Sequence, residues 1–144
     1  MKKTLATLFL LTCLGSSSAY ADNALILQTD FSLKDGAVSA MKGVAFGFDH
    51  NLKIFDLTPV IPPYNIWEGA YRLYQTASYW PQGSVFVSVV DPGVGTDRKS
   101  VVLKTKNGQY FVSPDNGTLT LVAQTLGIDS VREIDEKANR LKGS

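Results

Sequence analysis

Four short polar clusters hold the residues whose types could do chemistry. They are Thr29-Asp30, Asp56 with Thr58, Asp91-Pro-Gly-Val-Gly-Thr-Asp-Arg98, and Pro114-Asp-Asn-Gly117. Each follows directly on an apolar run. A single Asp in such a place often does no more than cap a helix or turn. Four clusters at the ends of successive strands point to a ligand site, because open α/β sheets bind outside the carboxyl ends of their strands.

Several chemistries are excluded by the same residues. Gly93 to Ser100 has the outline of a phosphate-binding loop, but Arg98 stands where the second glycine is required and Val101-Val-Leu103 continues as a strand rather than a helix. The one histidine, His50, lies in the polar turn Asp49-His-Asn-Leu52, at the opposite edge from the four clusters. One isolated imidazole supports neither a transition-metal site nor a Ser-His-Asp triad. Asn116-Gly-Thr118 has the form of a glycosylation sequon, which the bacterial character of the leader discounts. Tyr64 lies in a proline-bounded loop at the edge of the clusters, where a flat ring can pack on a nucleobase or sugar.

The elements that position these clusters alternate in type. Ala24-Leu-Ile-Leu-Gln-Thr29 reads as a strand buried on both faces. A helix is predicted over Asp35–Phe48, with Val38, Met41, Val44, Ala45 and Phe48 as its apolar stripe. A strand follows at Lys53–Leu57, and then a loop containing Pro59, Pro62 and Pro63. Asn65–Trp80 is the strongest helix, with Asn65 as cap and an apolar stripe of Ile66, Ala70, Leu73, Tyr74 and Ala77. Ser84–Val90 is a third strand, and two more, Ser100–Thr105 and Gln109–Ser113, flank the Asn107-Gly108 hairpin signal. A helix over Thr118–Leu126 and a strand near Ser130–Ile134 complete the pattern. This order predicts an α/β fold, a mostly parallel sheet flanked by helices.

The 144 residues leave room for one domain. With 44% hydrophobic and 19% charged residues, the composition is that of an ordinary globular chain. The 14 basic and 13 acidic residues form no basic face, which argues against a nucleic-acid partner. Residues 1–21 read as a signal peptide: Lys2-Lys3, the apolar run Leu5–Leu14, and the cleavage pattern Ala19-Tyr-Ala21. The run is too short to span a bilayer. Cleavage after Ala21 would leave 123 residues with no cysteine, exported to the periplasm or beyond and not attached to a membrane.

Five segments occur in order: Thr29-Asp-Phe31, Met41-Lys-Gly-Val44, Phe55-Asp-Leu-Thr58, Val89-Val-Asp-Pro-Gly-Val-Gly-Thr96 and Pro114-Asp-Asn-Gly117. They resemble the N-terminal domain of the S-adenosyl-L-methionine (SAM) hydroxide adenosyltransferase family, which is related to the fluorinases and chlorinases. The resemblance covers nearly all of residues 22–144. It implies hydrolysis of SAM to adenosine and L-methionine by attack of activated water at the 5′ carbon, with SAM as substrate and no further cofactor or metal. It assigns catalytic roles to Asp91 and Arg98, which would position and activate the water. Substrate-binding roles fall to Asp30 at the ribose hydroxyls, Asp35 nearby, Thr58, Tyr64 at the ribose ring and Asn116. An Asp at position 91 favours water over halide, and a SAM-dependent halogenase is the less favoured outcome.

The resemblance also implies a homotrimer, with SAM bound between neighbouring subunits. Two features depart from the family pattern. Thr58 is followed by Pro59-Val-Ile-Pro62 where members usually carry a His. The sequence ends at Ser144, ahead of the family's catalytic-His motif and C-terminal β domain. The expectation is therefore a truncated family member, with an inactive adenosine-binding protein or partial subunit as the alternative to a hydrolase.

Overall fold

The computed structural model describes residues 24–141. The predicted signal peptide lies outside the described residues. Six strands form one sheet: β1 (Ala24–Thr29), β2 (Lys53–Thr58), β3 (Val85–Val89), β4 (Ser100–Thr105), β5 (Tyr110–Pro114) and β6 (Ile128–Glu133). Their order across the sheet is β2-β1-β3-β5-β4-β6. β2, β1, β3 and β5 pair in parallel, whereas β4 runs antiparallel to both β5 and β6. The α/β class and the mostly parallel sheet are as the alternation of elements predicted.

Helices α1 (Ala37–Phe48) and α2 (Ile66–Ala77) are the crossovers on either side of β1. The chain steps outward from β1 to β2 and then back past β1 to β3. Parallel crossovers keep one hand, so this reversal sends the two helices to opposite faces. α1 lies on the face of Asp56, which its Lys42 reaches at 2.6 Å. α2 lies on the other face, together with α3 (Thr120–Leu126). A short α4 (Glu136–Asn139) follows β6.

The core sits under α2 and α3. Cross-strand register aligns Ile26, Phe86, Phe111 and Leu103 in one row beneath them, and Leu73, Ala77 and Val122 close it from above. The Phe86 and Phe111 rings stack with centroids 4.7 Å apart. At the far end of α2 the buried Gln109 amide donates to the Ala77 and Trp80 carbonyls, both at 2.7 Å. At the helix end Ala77 keeps only the tighter-turn bond from the Trp80 amide, and the Gln109 amide satisfies both carbonyls as the chain leaves the helix.

The structure departs from the sequence reading in four places. α1 buries only Val38, and Val44 and Phe48 of the expected stripe are exposed. Gly43 and Gly47 leave the helix without side chains to pack there, and the sheet face beneath it is narrow because β2 is an edge strand. α2 stops at Ala77 rather than Trp80, because Tyr79 and Trp80 donate to carbonyls three residues back in a tighter turn. α3 begins at Thr120, since Gly117 and Thr118 belong to the loop that leaves β5. Asp56 lies inside β2 rather than after it, paired to Lys42 and apart from the site edge.

Candidate active site

The strand order reverses between β1 and β3, which places a crevice outside their carboxyl ends. Thr29 pairs with Val89, so Asp30 and Val90 leave the sheet side by side and Asp91 follows at once. The first and third sequence clusters are thereby brought together by register alone.

Asp91 and Arg98 form one unit. The Asp91 Oδ1 atom accepts from the Gly93 amide at 2.9 Å and from the Arg98 guanidinium. Both side chains are largely shielded, at 15% and 25% exposed. The other carboxylate oxygen, Oδ2, has no partner among the described residues. A β-carbon at position 93 would meet the Arg98 guanidinium, so the glycine lets that group lie close against the loop backbone. Lys99 turns away to Glu133 on β6 at 2.6 Å, and that hydrogen bond and charge raise its pKa above the ordinary lysine value. An open groove of about 700 Å³ runs along the outer side of this loop, with Arg98, Ser100, Glu133 and Glu136 among its walls.

Asp30 and Tyr64 form the second unit. The Tyr64 amide donates to Asp30 Oδ2 at 2.7 Å, and the residue as a whole is 65% exposed. Tyr64 has φ +62°, a left-handed conformation that costs a non-glycine residue roughly 1–2 kcal/mol. The rest of the loop is tied to β1 through backbone groups: Ile61 donates to the Thr29 carbonyl at 3.2 Å and Ser32 to the Pro59 carbonyl at 2.8 Å. Thr58 supports the loop's start by accepting from the Val60 amide at 3.2 Å. Pro62 and Pro63 stiffen the approach to Tyr64 by fixing φ.

Asn116 is engaged within the protein. Its Nδ2 donates to the Val90 carbonyl at 2.8 Å, and its Oδ1 accepts from the Thr118 amide and hydroxyl at 3.1 and 2.6 Å. It thus joins the end of β3 to the start of α3. Asp35 accepts from the Ala37 amide at 2.9 Å and opens α1; no hydrogen bond links it to the other candidates.

Beneath the crevice lies a polar layer that the sequence reading did not single out. Gln28, 1% exposed, donates to the Gly69 carbonyl at 3.0 Å and to the Ser88 hydroxyl at 2.8 Å. Its Oε1 is buried with no partner. The link fastens β1 and β3 to the first turns of α2, just below Asp30 and Asp91. A glutamine at the end of an otherwise apolar strand was the available signal.

His50 is exposed at the amino ends of the strands and packs on Phe46, with ring centroids 4.7 Å apart. Among the described residues no group of three or more His, Cys, Asp or Glu could hold a metal ion. No helix among them is long and apolar enough to cross a membrane.

Residues 25–144 match the SAM hydroxide adenosyltransferase N-terminal domain. An (R)-S-adenosyl-L-methionine hydrolase of Methanocaldococcus jannaschii is 45% identical over 117 residues, covering 78% of this chain and 44% of that protein. A protein of the same name from Salinispora arenicola is 42% identical over 107 residues, covering 74% and 40%. A crystal structure of an uncharacterized conserved protein from Thermotoga maritima superposes with TM-score 0.76 at 41% identity, covering 80% of this chain and 44% of that one. The chain therefore spans less than half the length of the relatives it matches.

Proposed function

Because the chain belongs to the SAM hydroxide adenosyltransferase family, we propose that it hydrolyses SAM to adenosine and L-methionine in the crevice between β1 and β3. The observation that carries this reading is the Asp91 carboxylate, with one oxygen fixed by Gly93 and Arg98 and the other free. A hydrogen-bonded carboxylate of this kind can hold a water in line with the 5′ carbon. As the new C–O bond forms, the C5′–S bond breaks, its electron pair goes to the methionine sulfur, and the water's proton passes to Oδ2. The sulfonium is already an activated leaving group, so orientation and exclusion of bulk water are the main requirements and no added cofactor is needed.

Asp30 Oδ1, which has no partner among the described residues, is the acceptor for the ribose hydroxyls. The exposed Tyr64 ring supplies a flat contact for the sugar. Thr58 and Asn116 act on the same crevice through the loops they brace, and Asp35, five residues after Asp30, is assigned a substrate contact by family resemblance alone. A homotrimer is consistent with the large apolar residues left exposed on α1, including Phe46 and Phe48. Export to the periplasm rests on the leader and its Ala19-Tyr-Ala21 cleavage pattern.

A second reading, binding of adenosine-like ligands without turnover, is favoured by one observation. His50 stands at the end of the sheet away from the crevice, so among the described residues no imidazole borders Asp91.

Incubation of the purified chain with SAM, with product separation by liquid chromatography, tests both readings. Adenosine and methionine in equal amounts, independent of chloride, are the expected products. A chloride-dependent halogenated adenosine would replace water with halide as the nucleophile. Adenosine binding with no conversion would establish the second reading.

A further inference from the structure

We infer that Asp30 is a positioning residue for Tyr64 as well as a ligand contact: its carboxylate holds the Tyr64 peptide in the left-handed conformation that sets the ring at the mouth of the crevice. The ligand half of this statement rests on the reading above that the crevice takes a ribose. The conformational half stands on the protein alone.

Three links tie the loop between β2 and α2 to the end of β1 and the segment that follows it. Two are backbone to backbone, Ile61 to Thr29 and Ser32 to Pro59. The third, from the Tyr64 amide to Asp30 Oδ2 at 2.7 Å, is the one made by a side chain. Ser32 and Tyr64 both have φ +62°; the backbone link holds Ser32, and the Asp30 link falls at Tyr64, where a bulky aromatic residue in this conformation is a backbone outlier. Such conformations persist where surrounding contacts over-determine them, and they concentrate where a side chain must be aimed. A charged acceptor makes the strongest hydrogen bond available to a peptide N–H. One carboxylate thereby does two things. Oδ2 fixes the ring before any ligand arrives, and Oδ1 faces no competing protein donor among the described residues.

Native-state hydrogen exchange of individual amides tests the latch without a ligand. In Asp30→Ala the Tyr64 amide should exchange about ten- to a hundredfold faster, as expected for loss of a hydrogen bond to a charged group. The Ile61 and Ser32 amides should keep their wild-type protection. Asp30→Asn retains an acceptor oxygen and should restore most of the protection. An unchanged Tyr64 amide in Asp30→Ala, or an Asp30→Asn as fast as the alanine variant, would overturn the latch. Adenosine titration then tests coupling: Asp30→Ala with Tyr64→Ala should lose no more affinity than the worse single variant, whereas additive losses would refute a shared role. Failure of the wild-type chain to bind adenosine would refute the ribose reading and leave exchange alone to decide the latch.

Discussion

Asp91→Ala should lower SAM turnover by about 10²–10⁴-fold, the usual contribution of a positioned proton acceptor, while the chain stays folded. The carboxylate sits at the end of β3 rather than in the core, and the strand does not depend on it for pairing. Its removal would free the Gly93 amide and the Arg98 guanidinium, on two residues that are half-buried rather than sealed from water. The split between kcat and KM identifies the role. A loss confined to kcat places Asp91 at the reacting water, because the proposed ribose contacts belong to Asp30 and Tyr64. A loss confined to KM would make Asp91 a binding residue, and unchanged turnover would remove it from the mechanism. Circular dichroism of the variant separates all three from unfolding.

Phe111→Ala should destabilise the fold by about 3–5 kcal/mol, measured by urea denaturation. Phe111 is 0% exposed, stacks on Phe86, and occupies the centre of the row running from Ile26 to Leu103. Its removal would leave a cavity at the joint between the parallel strands and the β4–β5 hairpin. Rigid neighbours on both sides limit how far the site can collapse, which puts the cost in the upper part of the range for large-to-small changes. A loss below about 1 kcal/mol would mean that α2 and α3 settle into the space, and that this packing is looser than the ring stacking implies.

Much of the fold was legible because local signals and tertiary contacts agreed. The Asn107-Gly108 pair gave the hairpin, and Gly108 adopts φ +81° in its turn. Asn65 caps α2 by accepting from the Glu68 amide at 3.0 Å. In α1 the apolar period marks a helix without marking a buried face, because period reports on conformation and not on what covers it. Phe48, 92% exposed, is the plainest case.

The sequence by itself determined which residues are candidates for the chemistry. It placed Asp30, Asp91, Arg98, Tyr64 and Asn116 in loops that follow strands, because strand and loop signals are local and a parallel α/β sheet collects those loops at one edge. Only the tertiary structure decided how they work together. The register of Thr29 against Val89 set Asp30 beside Val90, and the return of the chain to β1 brought Tyr64 onto the Asp30 carboxylate. It also turned the Asn116 carboxamide toward the Val90 carbonyl and joined β1 to α2 through Gln28. Those partners are 26 to 41 residues apart in sequence. Contacts of that span form only when the whole chain collapses into one register, and no local preference along the chain encodes them.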